Sequence, residues 1–163
     1  MYLYIANSFD NSVIESVVDG EGVRLVIFFN GCSHHCLGCH NPLSWDPEKG
    51  QRVEVSELAD YIVKRYSEGI YSGITLSGGD PIFQDKPMLE LIKILRAKIP
   101  GLNIWCYTGY EYEHICKLEL LKHLDVLVDG PFIIDKKFPK KKFRGSNNQR
   151  ILYLKNGEIV KEL

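Results

Sequence analysis

Asn30 to Pro42 reads Asn-Gly-Cys-Ser-His-His-Cys-Leu-Gly-Cys-His-Asn-Pro and places three of the chain's five cysteines, Cys32, Cys36 and Cys39, in the pattern C-x3-C-x2-C. Ordinary packing does not require three thiols so close together. Thiolates are soft ligands, and at this spacing they suit zinc or an iron–sulfur cluster. A closed structural zinc site takes four protein ligands, commonly from two separated pairs. Here there is one compact triplet and no second C-x2-C. Three thiolates on a four-iron cube leave one iron without a protein ligand, and an open metal position is where a substrate binds. His34, His35 or His40 could instead complete a zinc site, so the loop by itself leaves both readings open.

The rest of the chain must position this loop. Its 163 residues match the length of one domain, residues 1–163, with enough chain to bury a core. A composition of 45% hydrophobic and 25% charged residues is that of an ordinary globular protein. The formal charge of -1 gives no global field for nucleic acid or a membrane surface. The N-terminus (Met1-Tyr2-Leu3-Tyr4-Ile5-Ala6-Asn7) lacks the basic start and long apolar stretch of a signal peptide, and no run of 18 apolar residues occurs. An odd cysteine count with three crowded together argues against a disulfide framework, so the reducing cytoplasm is the expected compartment.

Hydrophobic periodicity predicts strands alternating with helices. Leu3 to Val18 holds one or two short strands, and Val23 to Phe29 is a nearly continuous apolar run broken only by Arg24, as for a strand buried on both faces. Pro42, Pro47 and Gly50 keep the stretch after the cysteines irregular. A helix follows, capped by Ser56, with Leu58, Ile62 and Tyr66 on one face. Gly73 to Ser77 is a second strand, leading to Gly78-Gly79-Asp80-Pro81. Asp85 is placed to cap a second helix, whose buried face carries Met88, Leu91, Ile92, Leu95 and Ile99. Asn103 to Tyr107 and Asp125 to Asp129 are further strands, separated by a mostly helical segment, Glu113 to His123, with a break near Lys117. Gln149 to Leu154 and Glu158 to Val160 flank Asn156-Gly157, a strong hairpin signal. Such alternation means βαβ units and a parallel sheet. A complete eight-fold barrel takes ~250 residues, so four or five strands predict a partial barrel or an open sheet.

Parallel α/β folds carry their sites at the C-terminal ends of the strands. The cysteine loop, Gly78-Gly79-Asp80-Pro81, Thr108-Gly109-Tyr110 and Gly130-Pro131-Phe132 each follow one predicted strand, so all four should meet at one rim. A metal-centred active site requires that convergence; a zinc staple does not. Two consecutive glycines let backbone groups approach a ligand closely, and Asp80 adds a carboxylate that could meet an ammonium group. In isolation Gly78-Gly79 would be a plain strand-to-helix turn; its position opposite the cysteines favours the ligand reading.

Cys32-x3-Cys36-x2-Cys39 after one strand, with Gly78-Gly79-Asp80-Pro81 after the next, resembles the radical S-adenosylmethionine enzymes. Several segments narrow the resemblance to the glycyl-radical activases of anaerobic ribonucleotide reductase: Gly22-Val23-Arg24, Cys39-His40-Asn41-Pro42, Trp45-Asp46, Tyr107-Thr108-Gly109-Tyr110, Asp125 to Phe132, and Arg144-Gly145-Ser146-x-Asn148-Gln149-Arg150. The similarity runs from about residue 20 to 154. It implies a partial, open (β/α) TIM-like barrel of the radical S-adenosylmethionine type, with a [4Fe-4S] cluster held by Cys32, Cys36 and Cys39. The open iron would chelate S-adenosylmethionine. Ser77, Gly78, Gly79 and Asp80 would contact its methionine end, Thr108 and Gly109 the ribose and adenine, and backbone around Gly38, Cys39 and His40 the adenine. Reductive cleavage would yield a 5′-deoxyadenosyl radical that takes hydrogen from a glycine of the large reductase subunit, with an electron donor such as flavodoxin. Two departures stand out. Gly38 occupies a position often aromatic in the superfamily, and Asp80 replaces the usual Glu.

Three readings follow: the activase, another small radical S-adenosylmethionine enzyme acting on a small molecule such as a deazapurine precursor, and a zinc-stabilised interaction domain. Other residues have plainer readings. Cys106 and Cys116 are expected as small hydrophobes of the core, His34 and His35 as solvated loop residues, and Trp45 as a packing residue that pins the cysteine loop. His114 and His123 fall on helical surfaces. Lys136, Lys137, Lys140, Lys141, Lys142 and Arg144 form a basic run, either a solvated loop or, at Lys140 to Arg144, a docking patch for an acidic partner.

Overall fold

The computed structural model describes residues 1–39, 42–137 and 142–163. A short strand, β1 (Tyr2–Ile5), and a single helical turn, α1 (Phe9–Ser12), lead into β2 (Val13–Ser16) and then the apolar strand β3 (Arg24–Phe29). After the cysteine loop come β4 (Gln51–Glu54), α2 (Val55–Ser67), β5 (Gly73–Gly78), α3 (Asp85–Lys98) and β6 (Ile104–Tyr107). The chain then forms α4 (Tyr112–Ile115), β7 (Val126–Asp129) and the hairpin β8 (Arg150–Lys155) and β9 (Glu158–Glu162).

All strands belong to one mixed sheet of order β4-β1-β3-β5-β6-β7-β8-β9, with β2 also paired to β3. The four predicted parallel strands are β3, β5, β6 and β7, adjacent in chain order. Antiparallel strands extend the sheet on both sides, and it is open. The hairpin turns through Asn156 and Gly157, both at positive φ as a tight two-residue turn requires.

The pleat sends alternate residues to opposite faces. Leu25, Ile27 and Phe29 join Ile74, Leu76, Ile104, Cys106, Leu127 and Leu152 on the face covered by α2 and α3. The helices contribute Leu58, Ala59 and Ile62, and Met88, Leu91, Ile92 and Leu95, the stripes that the 3.6-residue period predicts. The other face has a smaller apolar cluster of Trp105, Val126, Val128 and Ile151, with Tyr107, Phe143 and Tyr153 against it.

Several local expectations are corrected. The strand β4 runs directly into α2, which starts at Val55 with no side-chain cap; the Val55 N–H donates to the Met1 carbonyl at 3.0 Å, so Ser56 is not needed as a cap. Asp85 is the first residue of α3 rather than its cap, because a 3₁₀ turn over Pro81–Gln84 precedes the helix and is capped by Asp80. The Gln84 side chain turns away to bridge β1 and the cysteine loop. It accepts from the Tyr4 N–H at 2.8 Å and donates to the Tyr4 and Asn30 carbonyls at 3.1 and 2.9 Å. Cys106 is buried as expected, but Cys116 is exposed, since α4 ends before it. The helical segment does break, resuming as a 3₁₀ turn at Glu119–His123.

Arg24 fixes the N-terminal ends of the parallel strands. Only 1% exposed, its guanidinium donates to Thr75 Oγ1 at 2.9 Å, the Ile74 carbonyl at 2.8 Å, Asn103 Oδ1 at 2.8 Å and the Glu21 carbonyl at 3.0 Å. Burial lowers its pKa to about 10, so it stays charged at neutral pH. One side chain thus spans β3, β5 and the approach to β6. Because Arg24→Ala strands buried carbonyl and hydroxyl groups, it is expected to cost about 3 kcal/mol, seen as a lower urea midpoint; an unchanged midpoint would contradict this account.

Candidate metal and cofactor site

The C-terminal ends of β3, β5, β6 and β7 open onto a cleft of about 530 Å³, lined by the cysteine loop, the turns after β5, β6 and β7, and the 142–149 segment. Of the sequence-predicted residues, Cys32, Cys36, Cys39, Ser77, Gly78, Gly79, Thr108 and Gly109 all line it, as do Lys142 and Arg144. Gly38 is exposed beside it and Asp80 lies buried behind it. His40, Lys140 and Lys141 lie outside the described residues. A second hollow of about 760 Å³, at the opposite end around Arg24, Ser72 and Asp125, contains none of the predicted residues.

Backbone hydrogen bonds fasten the start of the cysteine loop. The Gly31 N–H donates to the Ser44 carbonyl at 2.6 Å and the Cys32 N–H to the Trp45 carbonyl at 3.0 Å. The loop between β3 and β4 thereby folds back on itself through a 3₁₀ turn at Pro42–Trp45. The glycine turn is tied in by the Gly79 N–H to the Phe29 carbonyl at 2.7 Å and the Asp80 N–H to the Gly31 carbonyl at 2.8 Å. Gly78 must be glycine: its φ is +102°, and a Cβ would stand 2.3 Å from the Phe29 carbonyl oxygen. Gly38 has φ +76°, and a Cβ there would meet Ile134 Cδ1 at 2.5 Å, a physical reason for the missing aromatic side chain.

Of the two neighbouring histidines expected in solvent, His35 is exposed and His34 is not. His34 is 16% exposed and its Nε2 lies 2.6 Å from Asp80 Oδ2, while its ring meets Tyr110 edge-on at 4.5 Å. His35 is exposed but stacks on Trp45 at 4.4 Å and 13°. Trp45 therefore does pin the loop, by that stack and by its carbonyl. Asp80, 1% exposed, also accepts from Thr108 Oγ1 and the Gly109 N–H, each at 2.9 Å, and from the Ile82 N–H at 3.0 Å. Nothing in the sequence pattern pairs His34 with Asp80, because the two are 46 residues apart.

Residues of the 144–150 motif, to which sequence assigns no role, hold the far wall. Arg150 donates to both oxygens of buried Asp129, at 3.0 and 2.5 Å, and to Glu113. The Asp129 bond, with help from Glu113, raises its already high pKa. Gln149 donates to the Gly130 carbonyl at 3.0 Å and accepts from the Gly145 N–H at 2.7 Å; Asn148 donates to the Pro131 carbonyl at 2.8 Å. Arg144 donates to the Leu163 carbonyl at 2.7 Å.

The donor set suits a cluster. Three thiols from one loop line the same cleft as the backbone of Ser77, Gly78 and Gly79. A four-iron cluster takes each thiolate on a different iron. Burial, partly offset by the His34 N–H, raises the pKa of the Cys32 thiol in the metal-free protein. A coordinating thiol is deprotonated by its metal.

Fold and site together define an iron–sulfur protein, and a family model described as a 4Fe-4S single cluster domain matches residues 18–152. Curated relatives are more specific. The chain is 41% identical over 140 residues to the anaerobic ribonucleoside-triphosphate reductase-activating protein of Enterobacteria phage T4, covering 82% of this chain and 86% of the relative. It is 37% identical over 150 residues to the protein of that name from Escherichia coli K12, covering 85% and 94%. The Haemophilus influenzae Rd protein of that name is 35% identical over 146 residues, covering 83% and 90%. The chain belongs to the family of anaerobic ribonucleoside-triphosphate reductase-activating proteins.

Because its Cβ would collide with the backbone of β3, Gly78→Ala should destabilise the protein by at least ~2 kcal/mol in urea titration; a variant as stable as the parent would show that the turn can relax.

Proposed function

We propose that the protein activates anaerobic ribonucleotide reductase by reductive cleavage of S-adenosylmethionine at a [4Fe-4S] cluster, as a radical S-adenosylmethionine oxidoreductase. The observation that carries this reading is the shared cleft: Cys32, Cys36 and Cys39 face it together with the backbone of Ser77, Gly78 and Gly79. Its size, about 530 Å³, falls in the range of small-molecule and cofactor sites. In this reading the open sheet is a partial (β/α) TIM-like barrel, residues 1–163 act as one domain, and the cytoplasm is the compartment. Among the described residues no helix is long and apolar enough to cross a membrane.

The cluster would supply one electron to the sulfonium, giving methionine and a 5′-deoxyadenosyl radical that takes a hydrogen atom from a glycine of the large reductase subunit. That electron would come from a donor such as flavodoxin. The remaining work falls to this chain. Cys32, Cys36 and Cys39 hold the metal. The carbonyl and N–H groups of Ser77, Gly78 and Gly79, bare of side chains at the two glycines, bind the amino acid end of the ligand. Thr108 and Gly109 form the wall for the ribose and adenine, with backbone near Gly38, Cys39 and His40 on the adenine side. Phe132 and Phe143 supply apolar surface to the cleft and reduce water access. The open sheet leaves a side entrance for a loop of a large partner, and Lys142 and Arg144 at the cleft, with Lys140 and Lys141, would meet an acidic docking face.

Protein purified without oxygen is expected to be brown, with about four irons per chain, and to generate a glycyl EPR signal on its cognate reductase when given reductant and S-adenosylmethionine. Replacing any of Cys32, Cys36 and Cys39 by Ser should remove both the cluster and the signal. A colourless zinc protein, or a full cluster with no glycyl signal, would sink the proposal.

A further inference from the structure

Asp80 cannot serve a ligand in the way its place in the glycine turn suggests. An ionised carboxylate offers about four acceptor positions. Here Oδ2 is crowded by three donors, Thr108 Oγ1, the Gly109 N–H and His34 Nε2, and Oδ1 accepts from the Ile82 N–H. With 1% exposure it lies behind the cleft wall. Because Oδ2 can only accept, Nε2 of His34 is the donor in the 2.6 Å contact.

His34 is the one side chain between Cys32 and Cys36 that points into the protein. Ser33 is exposed, and His35 is exposed and stacked on Trp45. The His34 ring lies against Gly109, where an added Cβ would come within 2.6 Å of the imidazole, and Tyr110 closes its edge. Backbone bonds at Gly31 and Cys32 and the His35 stack on Trp45 fasten the loop to its own return segment and not to the turn after β6. His34 thus ties the C-x3-C segment to Asp80 and, beside Gly109, to the turn after β6.

Resting on the activase reading, we propose that His34 and Asp80 are positioning residues. Their contact latches the C-x3-C segment onto the Thr108–Gly109 turn, holding the three thiols in a shape ready for the cluster, and Asp80 acts through this latch instead of by touching the bound ligand. A charge-assisted hydrogen bond of this kind is worth roughly tenfold in an opening equilibrium.

The test uses the full-length, metal-free protein in a Cys116→Ser background, which removes the exposed thiol outside the loop. Alkylation by iodoacetamide at fixed pH reports the exposure of Cys32, Cys36 and Cys39. His34→Ala is expected to raise the rate about tenfold, Asp80→Asn at least as much, and the double variant no more than Asp80→Asn alone. His34→Gln, whose amide can donate to Asp80, should restore the parent rate to within about twofold. In reconstituted protein His34→Ala should lose iron to a chelator faster by a similar factor. Multiplying effects in the double variant, or unchanged alkylation, would overturn the latch. So would an Asp80→Asn variant that weakens only the effect of S-adenosylmethionine on the cluster EPR spectrum. A fall of more than about 5 °C in the melting temperature of His34→Ala would assign the contact to global stability and also overturn it. A parent protein that binds no cluster refutes the activase reading separately, since the alkylation rates stay readable without metal.

Discussion

Phe29 and Gly78 face each other at the last rung of the parallel ladder between β3 and β5, and the site depends on how closely those two backbones approach. A side chain at Gly78 would collide with the Phe29 backbone. With none there, the ladder runs unbroken from Arg24 to Phe29, and both strands end at the same level. The cysteine loop and the glycine turn then leave the sheet side by side and exchange backbone hydrogen bonds at once, Gly79 to Phe29 and Asp80 to Gly31. Thiols and bare peptide groups reach the same cleft because of this register.

The two ends of the parallel strands are built differently. At the N-terminal end a buried arginine joins β3 to β5 and the approach to β6 with hydrogen bonds to neutral acceptors. At the C-terminal end a buried carboxylate gathers donors from the cysteine loop and from the Thr108–Gly109 turn. Both are polar groups removed from water, and each is tolerable because it makes at least four hydrogen bonds. Between them the sheet is asymmetric. The helix-covered face carries the large core, while the opposite face has a small aromatic cluster and leaves space near its upper rim for a ligand.

This division suits chemistry in which a cofactor does the reacting and the protein supplies binding and exclusion of water. The side chains of the motif segments, Asp80 and Arg150 among them, mostly fasten loops and strand ends to one another. Asn148 and Gln149 are an example: their amides hold the 130–131 turn and the 145–146 backbone that form the far wall. Motif residues can thus be essential to a site's shape without approaching the ligand.

What could be read in the sequence was whatever local physics encodes. The apolar run of β3, the helical stripes of α2 and α3, the Asn156-Gly157 hairpin and the cysteine triplet each express constraints within a few residues of chain. The rule that parallel strands present sites at their C-terminal ends then brought Cys32, Cys36, Cys39, Ser77, Gly78, Gly79, Thr108 and Gly109 to one rim, and they line one cleft. β4 escaped notice because Gln51–Glu54 is a polar edge strand with one buried residue, and Ser56 and Asp85 lost their capping roles to structure formed just upstream. The pairing of His34 with Asp80, of Arg150 with Asp129 and of Gln84 with β1 was decided by the tertiary structure alone. Each joins side chains or backbone far apart in the chain, and a single sequence carries no periodic signal for a contact that exists only once the sheet has formed.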